Sequence, residues 1–167
     1  MMMETTARLA LPLIEPGQAQ KELFHNEALM LIDAGVQASV VAAGVNVPPV
    51  SPTPGRCWIV GPAATGAWSG HATAIACATA GGWRFLIPAE GWTVWDIARR
   101  QVLRHVDGEW DTGIVPARRI VIDGTPVLGP RQNAIAAPTG GNFVDTEARQ
   151  AVAAMLAMLR THGLIAP

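Results

Sequence analysis

An α+β fold follows from how aromatic residues, turn signals and alanines are distributed along this chain of 167 residues. All six tryptophans lie between Trp58 and Trp110, and tyrosine is absent. Turn signals recur at close intervals along the same stretch, at Gly61-Pro62, Gly81-Gly82, Pro88 to Gly91 and Asp107-Gly108, whereas both ends read as alanine-rich and helical. The predicted order is an N-terminal arm and helix (1–47), a Pro-rich linker (48–55), a Trp-rich antiparallel β-meander (56–115), a hairpin with a Gly-rich connection (116–144) and a C-terminal amphipathic helix (145–167).

Leu9 to Ile14 reads as an extended apolar arm, because Pro12 biases its neighbour away from the helical region. Pro16-Gly17 marks a turn, and a helix is expected from about Gln18. Leu29, Ile32 and Val36 recur at helical spacing, with Asn26, Glu27 and Asp33 on the polar side. Ala38 to Val41 fits a strand or the last helical turns equally well. Pro48, Pro49, Pro52 and Pro54 exclude helix and central strand, so this stretch is expected to separate the N-terminal segment from the tryptophan module.

Within the module, strands are expected at Cys57–Val60, Thr73–Ala78, Trp83–Ile87, Gly91–Trp95 and Val102–Val106. The two-residue period puts Trp83, Phe85 and Ile87 on one face. Asp107-Gly108 and Asp123-Gly124 are hairpin signals, and Pro126 assigns the strand after the second to an edge. The last helix is capped by Asp145 or Thr146, with Glu147 near its start, Arg160 and His162 near its end and Gly163 beyond it. Ala148, Val152, Met155 and Leu159 are spaced as an a/d seam over about two heptads, which suits either packing on its own domain or self-association.

Composition narrows the function classes. The chain is 50% hydrophobic and 15% charged, below the roughly one-quarter charged share of ordinary domains. Part of its apolar surface is therefore expected to be covered by other subunits. A formal net charge of −1 argues against nucleic-acid and anionic-membrane binding; Arg99-Arg100 and Arg118-Arg119 are short pairs suited to solvated faces. No apolar run is long enough to span a bilayer, and the first residues lack the features of a secretion signal, so folding in a cytoplasm is expected. In that compartment Cys57 and Cys77 read as buried thiols rather than a disulfide.

No catalytic, cofactor-binding or metal-ligating set emerges, and the expectation is that the chain is not an enzyme. His25, His71, His105 and His162 are far apart, and no Cys-x-x-Cys or His-Glu-x-x-His spacing occurs. Glu90, Asp96, Asp107, Glu109 and Asp111 share the module, yet turn and loop roles account for them better than glycoside hydrolysis. Ser69 is not on a nucleophile elbow, and Gly140-Gly141 lacks the Lys-Ser/Thr of a phosphate loop. The tryptophans support two compatible readings. They fill a core or subunit interface short of other large residues, or Trp68, Trp92 and Trp110, near turns, stack sugar rings of a host polysaccharide.

Several blocks resemble a known family. Leu11-Pro12-Leu13-Ile14-Glu15-Pro16-Gly17-Gln18-Ala19-Gln20-Lys21-Glu22 with His25 to Leu29 and Leu31-Ile32-Asp33, then Gly61 to His71, Gly82-Trp83-Arg84-Phe85, Glu90-Gly91-Trp92 and Asp145 to Ile165 are together similar to a domain of unknown function. That domain is common in alphaproteobacterial tailed phages, prophages and gene transfer agents. Cys57–Val60 and Asp96–Arg99 are less typical of it.

The resemblance implies a virion structural protein, a base or shaft segment of a head spike or tail fibre, assembled in the host cytoplasm and serving adsorption. A chain that stops just after the final helix fits a short adaptor-type member. The expected partners are its own copies, as a trimer first and a pentamer second, together with a capsid, spike or fibre protein. Docking is expected through Leu13, Gln18, Gln20, His25, Asn26, Leu29 and Ile32, with Lys21 beside them, and through Ala148, Val152, Met155 and Leu159.

Overall fold

A computed structural model describes residues 4–14 and 21–167. The chain is α+β, with two helices and ten strands among the described residues. It divides into two compact units, one ending at Ile114 and one beginning at Val115.

In the first unit, helix α1 spans Lys21–Gly35. Strands β1 (Ser39–Val40) and β2 (Ala43–Val45) follow at once, resolving the ambiguous stretch after the helix as strand. Then come β3 (Cys57–Val60), a 3-10 turn (Gly66–Trp68), β4 (Ile75–Thr79), β5 (Gly82–Leu86), β6 (Thr93–Asp96), β7 (Gln101–Val106) and β8 (Glu109–Thr112).

The expected single meander is two sheets. Strands β3-β4-β5 and β6-β7-β8 are each antiparallel, and each gains a parallel edge from residues before the prolines: β2 beside β3, and β1 beside β6. A parallel neighbour requires a crossover rather than a hairpin. The proline stretch is that crossover, carrying the chain from β2 to β3. It lies inside a compact unit instead of separating two parts.

Side-chain alternation explains how one sheet is buried on both faces. Cys57 and Ile59 of β3, Ile75 and Cys77 of β4 and Leu86 of β5 point to a core shared with Val40, Val94, Leu103 and the helix residue Ala34. Trp58, Val60, Ala76, Trp83 and Phe85 point the other way, onto Trp68 and Val45. Trp58, Trp68 and Trp83 meet edge-on or tilted at centroid separations of 6.1, 5.6 and 5.0 Å, arrangements favoured by the ring quadrupoles. Ile87, expected on the face of Trp83 and Phe85, lies just past the end of β5 and is exposed.

The β7–β8 hairpin turns at Asp107-Gly108, both at positive φ (51° and 81°), as a two-residue turn matched to strand twist requires. The β6–β7 turn is held by Asp96, fully buried. Its carboxylate accepts from Arg99 N–H (3.0 Å) and the Arg99 guanidinium (2.7 Å). Burial pushes the Asp96 carboxyl up, but the hydrogen bonds and charge of Arg99, with the Ala98 N–H, outweigh it and hold the group below the usual carboxylate range.

The second unit pairs β9 (Ile120–Ile122) with β10 (Thr125–Leu128) around Asp123-Gly124, as the sequence predicts. Helix α2 spans Thr146–Thr161, capped by Asp145, whose side chain accepts from Ala148 N–H at 2.8 Å. Gln132 bridges to Ile165, tying the connection to the segment after α2. Only Leu156 and Ile165 are buried here, and every residue of β9 and β10 is exposed.

A depressed carboxyl contributes stability that is complete above its unfolded-state value of about 3.9 and is lost as pH falls through the lower folded value. Asp96→Asn is therefore expected to lower stability at neutral pH and to flatten the acid limb of the stability profile below about pH 4. Urea midpoints measured from pH 7 down to pH 3 check this; parallel profiles for the two proteins count against it.

Candidate functional site

Helix α1 is bonded to the rest of its unit through the side that carries Asn26, Glu27 and Asp33. The side predicted to be polar faces inward. Asp33 is 3% exposed and accepts from the Thr6 hydroxyl (2.8 Å), Arg8 N–H (3.0 Å) and Leu9 N–H (2.6 Å). Asn26 accepts from Ile14 N–H (2.9 Å) and donates to Ile14 C=O (3.0 Å), imitating a strand partner. Glu27 accepts from Arg84 of β5 at 2.7 Å. Arg8 donates to the carbonyls of Asp33, Ala34 and Gln37, so a cation occupies the negative end of the helix.

These bonds also reshape the arm. Residues 4–14 fold back on themselves through a Thr5–Pro12 bridge, with Thr6 N–H to Leu11 C=O (3.0 Å) and Leu13 N–H to Glu4 C=O (2.9 Å). The expected extended arm is thus a small hairpin held on its own helix. A buried carboxylate needs donors, and the backbone of the arm supplies them.

With its polar side turned in, the helix leaves an apolar stripe outside. Phe24 is 79% exposed and Ile32 48%, and Leu31 and Val36 are exposed as well. Leu31, Ile32 and Val36 line an open groove of about 690 Å³ whose other wall is Phe85, Leu86, Ile87 and Trp92. Apolar side chains gathered in this way across two elements make the groove the candidate interaction site of the first unit.

The other predicted interface residues fall differently. Leu13, Asn26 and Leu29 are half-buried, and His25 is on the surface. Gln18 and Gln20, and the Pro16-Gly17 turn, lie outside the described residues, as does the Lys21 side chain. On α2 the predicted a/d seam is split. Val152 and Leu159 are half-buried beside fully buried Leu156, whereas Ala148 and Met155 are exposed. The inward stripe runs through Leu156, one residue out of register with the expected Met155.

The three proposed sugar-stacking tryptophans are also separated. Trp68 is fully buried, with no face open to a ligand, because the 3-10 turn folds it over the second cluster. Trp110 is half-buried, donates its Nε1–H to Thr73 C=O at 2.7 Å and sits edge-on to His105. Trp92, 36% exposed, belongs to the apolar groove. Of the carboxylates, Asp96 is committed to its turn and Glu90 accepts from Asp107 N–H at 3.1 Å.

Sequence reasoning passed over Phe24 and Leu31 on the outward stripe and the Thr6–Arg8–Asp33 cluster. The seven-residue spacing of Phe24 and Leu31, with Ala28 and Gly35 between and beyond them, was the available signal for the stripe. An isolated Asp in an apolar helix was the signal for the cluster.

Fold and surface together define a small α+β protein built on two mixed sheets with an uncovered apolar helix face. The chain belongs to the family described as "Protein of unknown function (DUF2793)", whose model matches residues 25–111. That span takes in most of α1 and nearly all of both sheets. No curated protein matches the chain.

Asp33→Ala removes the acceptor of three arm donors and is expected to cost roughly 3 kcal/mol, since bonds to a charged group are worth about 1.5–3 kcal/mol each and the loss is partly offset by water. Urea unfolding measures the cost, and limited proteolysis should cut the arm of the variant first. A change within about 0.5 kcal/mol would mean that the arm docks by other means.

Proposed function

We propose that this protein is a structural part of a tailed-phage or gene-transfer-agent particle, an adaptor at the base of a head spike or tail fibre that supports adsorption to the host. The observation that carries the reading is the outward apolar stripe of α1, continuous with Ile87 and Trp92. An isolated chain gains nothing by turning Phe24, Leu31 and Ile32 into water. A neighbouring molecule that covers them recovers about 25 cal/mol for each Å² removed from solvent.

The second unit supports the same reading. A two-stranded hairpin of Ile120, Val121, Ile122, Val127 and Leu128, exposed on both faces, is marginal by itself. The resemblance of residues 11–33 and 145–165 to phage and gene-transfer-agent proteins supplies the setting. Its own copies, as a trimer, and a capsid, spike or fibre protein are the partners this reading calls for. The glycan-binding alternative now rests on Trp92 among its three original residues.

A double substitution, Phe24→Ser with Ile32→Ser, tests the proposal. Both positions are exposed, so monomer stability should change by no more than about 0.5 kcal/mol at each. Light scattering coupled to size exclusion, and co-purification with particles, should show loss of assembly, at least tenfold in particle-bound protein. Unchanged assembly in a folded double variant would overturn the docking role of the stripe. A glycan array on the same protein separates the alternative, which predicts binding lost on Trp92→Ala.

A further inference from the structure

The two cysteines face each other across the central strand pair. Cys57 of β3 is in register with Cys77 of β4, and both side chains are buried and free. The Ala78 N–H donates to Arg56 C=O at 2.9 Å, one step along the ladder. In an antiparallel pair this makes Cys57 and Cys77 a non-hydrogen-bonded couple, the narrow kind, with Cα atoms about 4.5 Å apart. That spacing lies at the short end of the range a disulfide bridges, about 4.4–6.8 Å. The thiols already interact. Cys57 donates to Gly55 C=O at 3.8 Å and Cys77 to Ala78 C=O at 3.7 Å, and the interaction between the two side chains holds the Cys77 thiol below its ordinary value while, with burial, it pushes Cys57 far up.

The pair is shielded without being sealed. A cavity of about 110 Å³ reaches Cys77 between Met30, Asp33, Pro54 and Gly55, with the arm residues Thr5 and Ala7 at its rim. On the other side of Gly55, a second recess lined by Arg8, Ser39 and Val41 reaches Cys57. Both recesses have room for an oxidant of two heavy atoms, and of the two thiols that of Cys77 is the one held below its ordinary value.

We propose that Cys57 and Cys77 form a redox-active dithiol that hydrogen peroxide converts into an intramolecular cross-strand disulfide, with Cys77 as the attacking sulfur and Cys57 as the resolving one. The Cys77 thiolate attacks a peroxide oxygen, and the O–O bond breaks. The sulfur is oxidised to a sulfenic acid, and the second oxygen leaves as hydroxide, taking up the proton Cys77 had released. Cys57 then attacks the Cys77 sulfur and the S–O bond breaks. The departing hydroxide takes the Cys57 proton and leaves as water. One hydrogen peroxide is reduced to two waters while two thiols become one disulfide. A bridge across so narrow a pair is readily reduced again.

Hydrogen peroxide on the intact native chain tests this directly, because cleavage after Arg56 and Arg84 releases one peptide, 57–84, that carries both cysteines. After quenching, denaturation and alkylation, that peptide should lose two hydrogens and accept no alkyl group, and dithiothreitol should restore both alkylation sites. In Cys57→Ser, dimedone should trap Cys77. In Cys77→Ser, trapping at Cys57 should be at least tenfold slower. Two intact thiols after peroxide, or a bridge between chains, would overturn the proposal even if neither variant folds. Faster trapping at Cys57 would overturn the assignment of roles.

Discussion

Asp33 is the constraint from which the rest of the first unit follows. A carboxylate placed on the buried side of a helix must find donors, and in this chain the donors come from the arm: a hydroxyl and two backbone N–H groups. Satisfying them pulls residues 4–14 onto the helix and brings Arg8 to its carbonyl end. It also fixes the rotation of α1. Once Asp33, Asn26 and Glu27 point inward, Phe24, Leu31 and Ile32 have only the outside left to occupy. The apolar surface is the geometric complement of a polar anchor.

Tryptophan use obeys a similar logic. A sheet buried on both faces needs large residues on the side away from the main core, and the chain has only three phenylalanines and no tyrosine to place there. Trp58, Trp68 and Trp83 meet that need by mutual edge contacts, and the strand period selects which of them can do so. Indoles near turns follow a different rule. Trp92 and Trp95 lie on β6 or at its start and remain exposed, while Trp110 turns its N–H to a backbone carbonyl.

Much of this was legible in the sequence. The fold class, both Asp-Gly hairpins, the strands of the tryptophan segment and the Asp145 cap were all readable, because each rests on local chemistry: a turn residue, a two-residue period, a side chain that bonds its own backbone. Three features were not. The anchoring role of Asp33 was not readable because helical periodicity places it on the polar side of α1 without naming its partners; long-range bonds from Thr6, Arg8 and Leu9 decide that. The parallel edges β1 and β2, of two and three residues, are too short to carry a periodic signal. The burial of Trp68 is invisible to sequence because a position near a turn does not fix exposure: a single 3-10 turn folds this ring back over a sheet.

Strands β1 and β2 are halves of one continuous stretch, residues 39–45, and each half is bonded to a different sheet. Neither sheet can therefore fray at that edge without tugging on its neighbour through two intervening residues. Heating is expected to melt both in one calorimetric endotherm, with no plateau between them, and the slowest amide protons to exchange with deuterium should be found on either side of this seam.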